Sequence, residues 1–92
     1  MILNDQQIQE LLQKYPEWRL DDGKLVKEIS LSEFKPAMQY VNEVAKIAEQ
    51  QGHHPDITIR YNNVMLEIYS HDNAKITDRD VAFIEAVENI PT

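Results

Sequence analysis

The stretch Ile57-Thr58-Ile59-Arg60-Tyr61-Asn62-Asn63-Val64-Met65-Leu66-Glu67-Ile68 decides how this chain is read. Apolar and polar residues alternate through both halves, which is the pattern of half-buried strands. Asn62-Asn63 lies between them, and asparagine tolerates the positive φ of a tight turn. A two-residue turn there predicts that Tyr61 pairs with Val64, Ile59 with Leu66 and Ile57 with Ile68, so that all six face one core.

Upstream, Ser32 is placed to cap a long helix ending near Gln51, with Gly52 as its stop and Pro36 in its first turn. Its apolar residues Phe34, Ala37, Met38, Tyr40, Val41, Val44, Ala45, Ile47 and Ala48 spread over roughly half the circumference, wider than the ~100° stripe that one core contact needs. The excess width points to a second packing surface, either self-association or a sheet that wraps more of the helix than usual. Before this helix, Trp18–Leu20 and Leu25–Ile29 flank Asp22-Gly23, a pair suited to a hairpin turn. Asn4 with Gln7 forms a capping box for a first helix carrying Ile8, Leu11, Leu12 and Tyr15, which Pro16 ends. Downstream, Thr77 with Asp80 caps a last helix bearing Val81, Phe83, Ile84 and Val87. The order α-β-β-α-β-β-α predicts an α+β fold, a four-stranded antiparallel sheet with three helices on one face.

Composition bounds what such a fold can be. Residues 1–92, with 42% hydrophobic and 27% charged content, make one domain. A chain of this size buries only about 60 to 65% of its unfolded surface, so association is an expected aid to stability. There is no cysteine, which excludes disulfides and thiolate metal sites and fits a cytoplasmic compartment. No basic leader precedes an apolar run, and no stretch is long enough to span a membrane. A net charge of -7 opposes binding to nucleic-acid phosphates.

His53, His54 and His71 carry the chemistry. Carried outward, the hairpin register above sets His54 opposite His71 on the non-core face, with Cβ atoms about 5 Å apart. His53 would face the other way in a regular strand, but the turn at Gly52 lets it approach the same pocket from the side, while Pro55 keeps His54 extended. Three imidazoles and a water could hold zinc, but adjacent ligands diverge on a strand and no HExxH-like pair is present. Acid-base work without metal suits imidazole better, because it both donates and accepts a proton near neutral pH. Two carboxylates frame the cluster. Glu49 sits on the border of the long helix's apolar arc, either as a solvated helix-end group or as part of the site. Asp80 falls within the apolar face of the last helix, either as the cap with Thr77 or turned to orient a histidine or substrate.

These residues and their spacing, Glu49, His53-His54-Pro55, Tyr61, His71 and Asp80, resemble the signature of the pterin-4a-carbinolamine dehydratases. The likeness extends to Trp18, Phe34 and the Ser70-His71-Asp72 to Thr77-x-x-Asp80 stretch, although Asn73-Ala74-Lys75-Ile76 lacks a glycine often found after the third histidine. The resemblance implies cofactor-free dehydration of 4a-hydroxytetrahydrobiopterin, left by aromatic amino acid hydroxylases, to quinonoid dihydrobiopterin. His53 and His71 would be general acids on opposite faces of the pterin, and His54 would hold the ring and act as base. Glu49, Pro55 and Asp80 would bind or orient substrate, with no metal. The resemblance also implies a homodimer or homotetramer formed through sheet edges and helix faces, and a functional link to a hydroxylase. Related animal proteins double as dimerisation cofactors of a homeodomain transcription factor, so an interaction module using the apolar helix face is the alternative. Pterin chemistry in another pathway, such as molybdopterin-linked metabolism, is a third reading.

Overall fold

The computed structural model describes residues 1–70 and 75–92. Helix α1 (Asp5–Lys14) is followed by strands β1 (Trp18–Asp21) and β2 (Lys24–Ser30), helix α2 (Phe34–Gln51), strands β3 (Asp56–Arg60) and β4 (Asn63–Ile68), and helix α3 (Asp78–Glu88). The four strands form one antiparallel sheet in the order β1-β2-β4-β3, and the expected α+β architecture is what the chain adopts.

Local chemistry accounts for most element ends. Asn4 and Gln7 make the reciprocal capping box of α1, and Thr77 and Asp80 make that of α3. The β1–β2 turn places Asp22 at φ 52 and Gly23 at φ 77, as a tight hairpin requires. One cap differs from expectation. Ser32 does not cap α2; Glu33 occupies that position and makes no side-chain cap hydrogen bond. Pro36 lies in the first turn, where a missing N–H leaves no intrahelical bond unmade.

The β3–β4 hairpin differs by two residues from the predicted register. Ile59 faces Val64, Ile57 faces Leu66 and Arg60 faces Asn63, so the turn is Tyr61-Asn62. Tyr61 takes φ 53, uncommon for an aromatic residue, and is 61% exposed rather than in the core. The neighbouring segment explains the shift. Leu31 N–H donates to the Asn62 carbonyl at 2.8 Å, and the Asn62 amide donates back to the Leu31 carbonyl at 2.9 Å. The Tyr61 hydroxyl donates to Glu33 and the Ser30 hydroxyl donates to Asn63 Oδ1. These contacts tie the turn to the exit of β2.

The core lies between the sheet and the helices. Leu25, Val64, Leu66 and Ile68 from the strands meet Ala37, Tyr40, Val41, Val44 and Ala48 of α2, Phe83, Ile84 and Val87 of α3, and Leu11 of α1. Phe34 and Ala45 of the wide α2 arc stay exposed, and Met38 and Ile47 are half-buried. Lys27 breaks the apolar pattern on the buried sheet face, where it pairs with Glu88 and lies 3.6 Å from Glu17. The Trp18 indole donates to the same Glu88 carboxylate at 3.2 Å. Burial would lower the Lys27 ammonium, but the Glu88 hydrogen bond with the Tyr40, Glu88 and Glu17 charges leaves it above the ordinary lysine value. Burial pushes the neighbouring Tyr40 phenol up, against the opposing pull of the Lys27 charge. Among the described residues, no helix is long and apolar enough to cross a membrane.

Candidate functional site

The end of α2 sets the site. Gly52 adopts the left-handed conformation at φ 61, and its N–H bonds to the carbonyls of Ala48 and Glu49. The next N–H, that of His53, bonds back to the Ala48 carbonyl at 3.1 Å. This pattern closes the helix C-terminus and reverses the chain, as glycine at this position commonly does. Reversal sends the His53 ring inward, where it is 3% exposed and meets the Phe83 ring edge-on at a centroid distance of 6.4 Å.

Buried imidazole needs a polar partner, and α3 supplies one. His53 Nε2 lies 2.6 Å from Asp80 Oδ1. The other carboxylate oxygen accepts the Thr77 N–H at 2.8 Å and the Ser70 hydroxyl at 3.0 Å. The Ser70 and Thr77 hydroxyls are 2.7 Å apart, and the Arg79 N–H donates to Thr77 Oγ1 at 3.2 Å. One direction satisfies every group: Thr77 donates to Ser70, Ser70 to Asp80, and His53 to Asp80. In that direction Asp80 accepts three bonds, two on Oδ2 and one on Oδ1. Across the His53–Asp80 bond the roles follow the tautomer: a proton on Nε2 points at the carboxylate and leaves Nδ1 as the acceptor of the ring.

The start of α3 is pinned from two sides. Ile2 bridges Thr77, with Leu3 N–H donating to the Ile76 carbonyl at 2.9 Å. Ser70 N–H donates to the Lys75 carbonyl at 2.9 Å, closing the connection from β4. Asp80 therefore both caps α3 and holds His53, the two alternatives weighed from sequence. One carboxylate has an oxygen for each.

His54 points the other way. Its Nε2 lies 2.6 Å from Glu49 Oε2, and both side chains are largely exposed, at 62% and 78%. Glu49, one helical turn before the chain reversal, is thus within reach of the second histidine and not of the first. Pro55 is half-buried and leads directly into β3. The predicted opposition of His54 and His71 does not follow from the observed hairpin, whose register carried outward sets position 54 across from 69. His71 itself lies outside the described residues. Among those residues, no group of three or more His, Cys, Asp or Glu side chains is disposed to hold a metal ion.

A surface cavity of about 240 Å³ opens beside His53, lined by Gln51, His53, Arg79 and Ala82. Arg79 was not singled out from the sequence, yet its Nη2 donates to the Gly52 carbonyl at 2.7 Å. Gln51 donates to the Ala82 carbonyl at 3.3 Å. The available signal for Arg79 was its place beside Asp80 in the first turn of α3. Ser70 gave only its place beside His71.

The chain is similar to known proteins along most of its length. The family model for pterin 4 alpha carbinolamine dehydratase matches residues 1–90. A relative from Chloroflexus aurantiacus, provisionally named a pterin-4-alpha-carbinolamine dehydratase, is 40% identical over 88 residues, covering 96% of this chain and 95% of the relative. A similarly named protein from Thermomicrobium roseum is 46% identical over 80 residues, covering 87% and 86%. The crystal structure of a transcriptional coactivator/pterin dehydratase from Brucella melitensis superposes with a TM-score of 0.89 over 96% of each chain, at 22% identity, and so shares the fold. The match along almost the whole length, with the α-β-β-α-β-β-α order, makes this chain a member of the pterin-4a-carbinolamine dehydratase family.

Proposed function

We propose that the protein removes water from 4a-hydroxytetrahydrobiopterin to give quinonoid dihydrobiopterin, using histidines as acid and base. The observation that carries this reading is the 2.6 Å bond that holds buried His53 against Asp80 at the wall of a surface cavity. The elimination is redox-neutral, so it calls for no cofactor. A proton delivered to the C4a hydroxyl lets it leave as water, a ring N–H proton passes to a base, and the freed electron pair forms the new C=N bond. His53 and His71 serve as general acids on opposite pterin faces, His54 steadies the ring and takes the proton, and Glu49, Pro55 and Asp80 orient the set. Each positioned acid or base is worth roughly 10²- to 10⁴-fold.

The same reading makes the protein a cytoplasmic homodimer or homotetramer, functionally linked to an aromatic amino acid hydroxylase. Support for association comes from the size of the chain and from Phe34 and Ala45, which α2 leaves exposed on its apolar arc. That same surface favours a second reading, an interaction module, in keeping with the coactivator title of the Brucella structure. The deciding experiment is stopped-flow decay of freshly generated 4a-hydroxytetrahydropterin with metal-free protein. Acceleration by wild type that collapses in His54→Ala supports the dehydratase. A folded wild type that leaves the decay unchanged rejects it and turns attention to the α2 surface.

A further inference from the structure

Three consecutive residues at the end of α2 are each tied to the first turns of α3. Gln51 donates to the Ala82 carbonyl at 3.3 Å, the Gly52 carbonyl accepts Arg79 Nη2 at 2.7 Å, and His53 meets Asp80 at 2.6 Å. The middle tie has a particular geometry. The Gly52 carbonyl and the His53 N–H belong to one peptide plane, and a peptide plane is rigid. Its N–H is bonded to the Ala48 carbonyl at 3.1 Å, while its oxygen is bonded to Arg79. Both polar atoms of the plane are therefore held, one by α2 and one by α3.

The peptide plane fixes the His53 N and Cα, and with φ it sets the direction in which the Cα–Cβ bond leaves the chain. Asp80 fixes the far end of the ring, and Arg79 fixes the near end. A carbonyl just past a helix C-terminus otherwise turns to water, and the glycine at φ 61 offers little steric resistance to such a rotation. The guanidinium fork suits the task, because one donor can hold the carbonyl while the others stay hydrated at the cavity mouth.

We propose that Arg79 is a positioning residue for His53, acting through the Gly52–His53 peptide rather than by touching substrate. This rests on the dehydratase reading for its kinetic consequence, but not for its structural one. A misaimed proton donor loses rate and not affinity, so the effect belongs in kcat.

The test compares wild type, Arg79→Ala and Arg79→Lys by steady-state dehydration of the 4a-hydroxypterin, imidazole ¹⁵N chemical shifts of His53, and hydrogen exchange of the His53 amide. Arg79→Ala is expected to lower kcat about 10-fold with KM changed by less than about 2-fold. It should also shift the His53 ¹⁵N signals and speed exchange of its amide, with a melting temperature lowered by only a few degrees because the lost bond is a single exposed one. Lysine, which keeps a positively charged donor group but not the planar fork, should restore part of each. A rise in KM with kcat intact would overturn the proposal by making Arg79 a substrate contact. Unchanged His53 signals in Arg79→Ala would overturn it as well. If wild type shows no dehydratase activity, that reading fails by itself, and the ¹⁵N shifts and amide exchange still decide whether Arg79 aims His53.

Discussion

His53 and Asp80, 27 positions apart in the chain, are joined side chain to side chain at 2.6 Å, with Asp80 fully buried and His53 nearly so at the wall of a surface cavity. An unpaired carboxylate at that depth would be costly, and an unpaired imidazole N–H nearly as unwelcome. Each satisfies the other, with Ser70 and Thr77 completing the carboxylate.

Asp80→Ala removes the acceptor for His53, Ser70 and the Thr77 N–H together. We expect a loss of about 2 to 4 kcal/mol in unfolding free energy. Asp80→Asn should keep part of the cap and cost less, yet still lower dehydration roughly 10²-fold by loosening the His53 tautomer. Urea unfolding and stopped-flow turnover on both variants separate the two roles, and an Asp80→Asn protein with full turnover would remove Asp80 from the site.

His53 and His54 should part company in stability while agreeing in activity. His53→Ala deletes a buried ring packed on Phe83 and strands Asp80, so about 2 to 3 kcal/mol is expected to go. His54→Ala removes a largely exposed ring whose pair with Glu49 contributes about 0 to 1 kcal/mol. Both should slow the reaction by roughly 10²-fold or more. Equal melting temperatures for the two variants would contradict the buried placement of His53.

Gly52→Ala tests the chain reversal itself. A Cβ at Gly52 meets no atom within 4 Å, so the penalty comes from the positive φ alone, about 1 kcal/mol. Gly52→Asn should cost less, since asparagine enters that conformation more readily. Thermal melts that rank alanine above asparagine would argue against the left-handed cap.

Alkaline stability reports on the buried Lys27–Tyr40–Glu88 cluster at the middle of β2. The folded protein holds the Lys27 proton more tightly than the unfolded chain does, and the same is true of the Tyr40 phenol. That contribution is whole below the ordinary values of 10.5 and 10.0 and disappears as pH rises through the higher folded values. Denaturant midpoints should therefore hold up to about pH 10 and fall above it. Lys27→Met should remove the lysine part of this fall and leave the Tyr40 part, and Glu88→Ala, which leaves the Lys27 ammonium without its closest partner, should cost about 3 kcal/mol at neutral pH. A Lys27→Met protein with the wild-type alkaline profile would show that other groups set it.

The sequence by itself determined whatever rests on neighbours three or four residues apart, or on simple periodicity. The capping boxes at Asn4 and Thr77, the Asp22-Gly23 turn and the Gly52 stop were legible because their hydrogen bonds close locally. The core faces of β3 and β4 were legible for Ile57, Ile59, Val64, Leu66 and Ile68 because alternation fixes parity. Parity is also where that signal ends. A slip of two residues leaves every strand residue on the same face, so the pattern could not distinguish an Asn62-Asn63 turn from the observed Tyr61-Asn62 turn. Leu31, about thirty positions away, made the choice by pairing with Asn62. The site divides in the same way. Asp80 could be read as a cap within its own helix, and its bond to His53 required α2 and α3 to pack so that one carboxylate oxygen faced each. Arg79 and Ser70 carried no periodic or capping signal of their own, because their partners, Gly52 and Asp80, become neighbours only when the chain is folded.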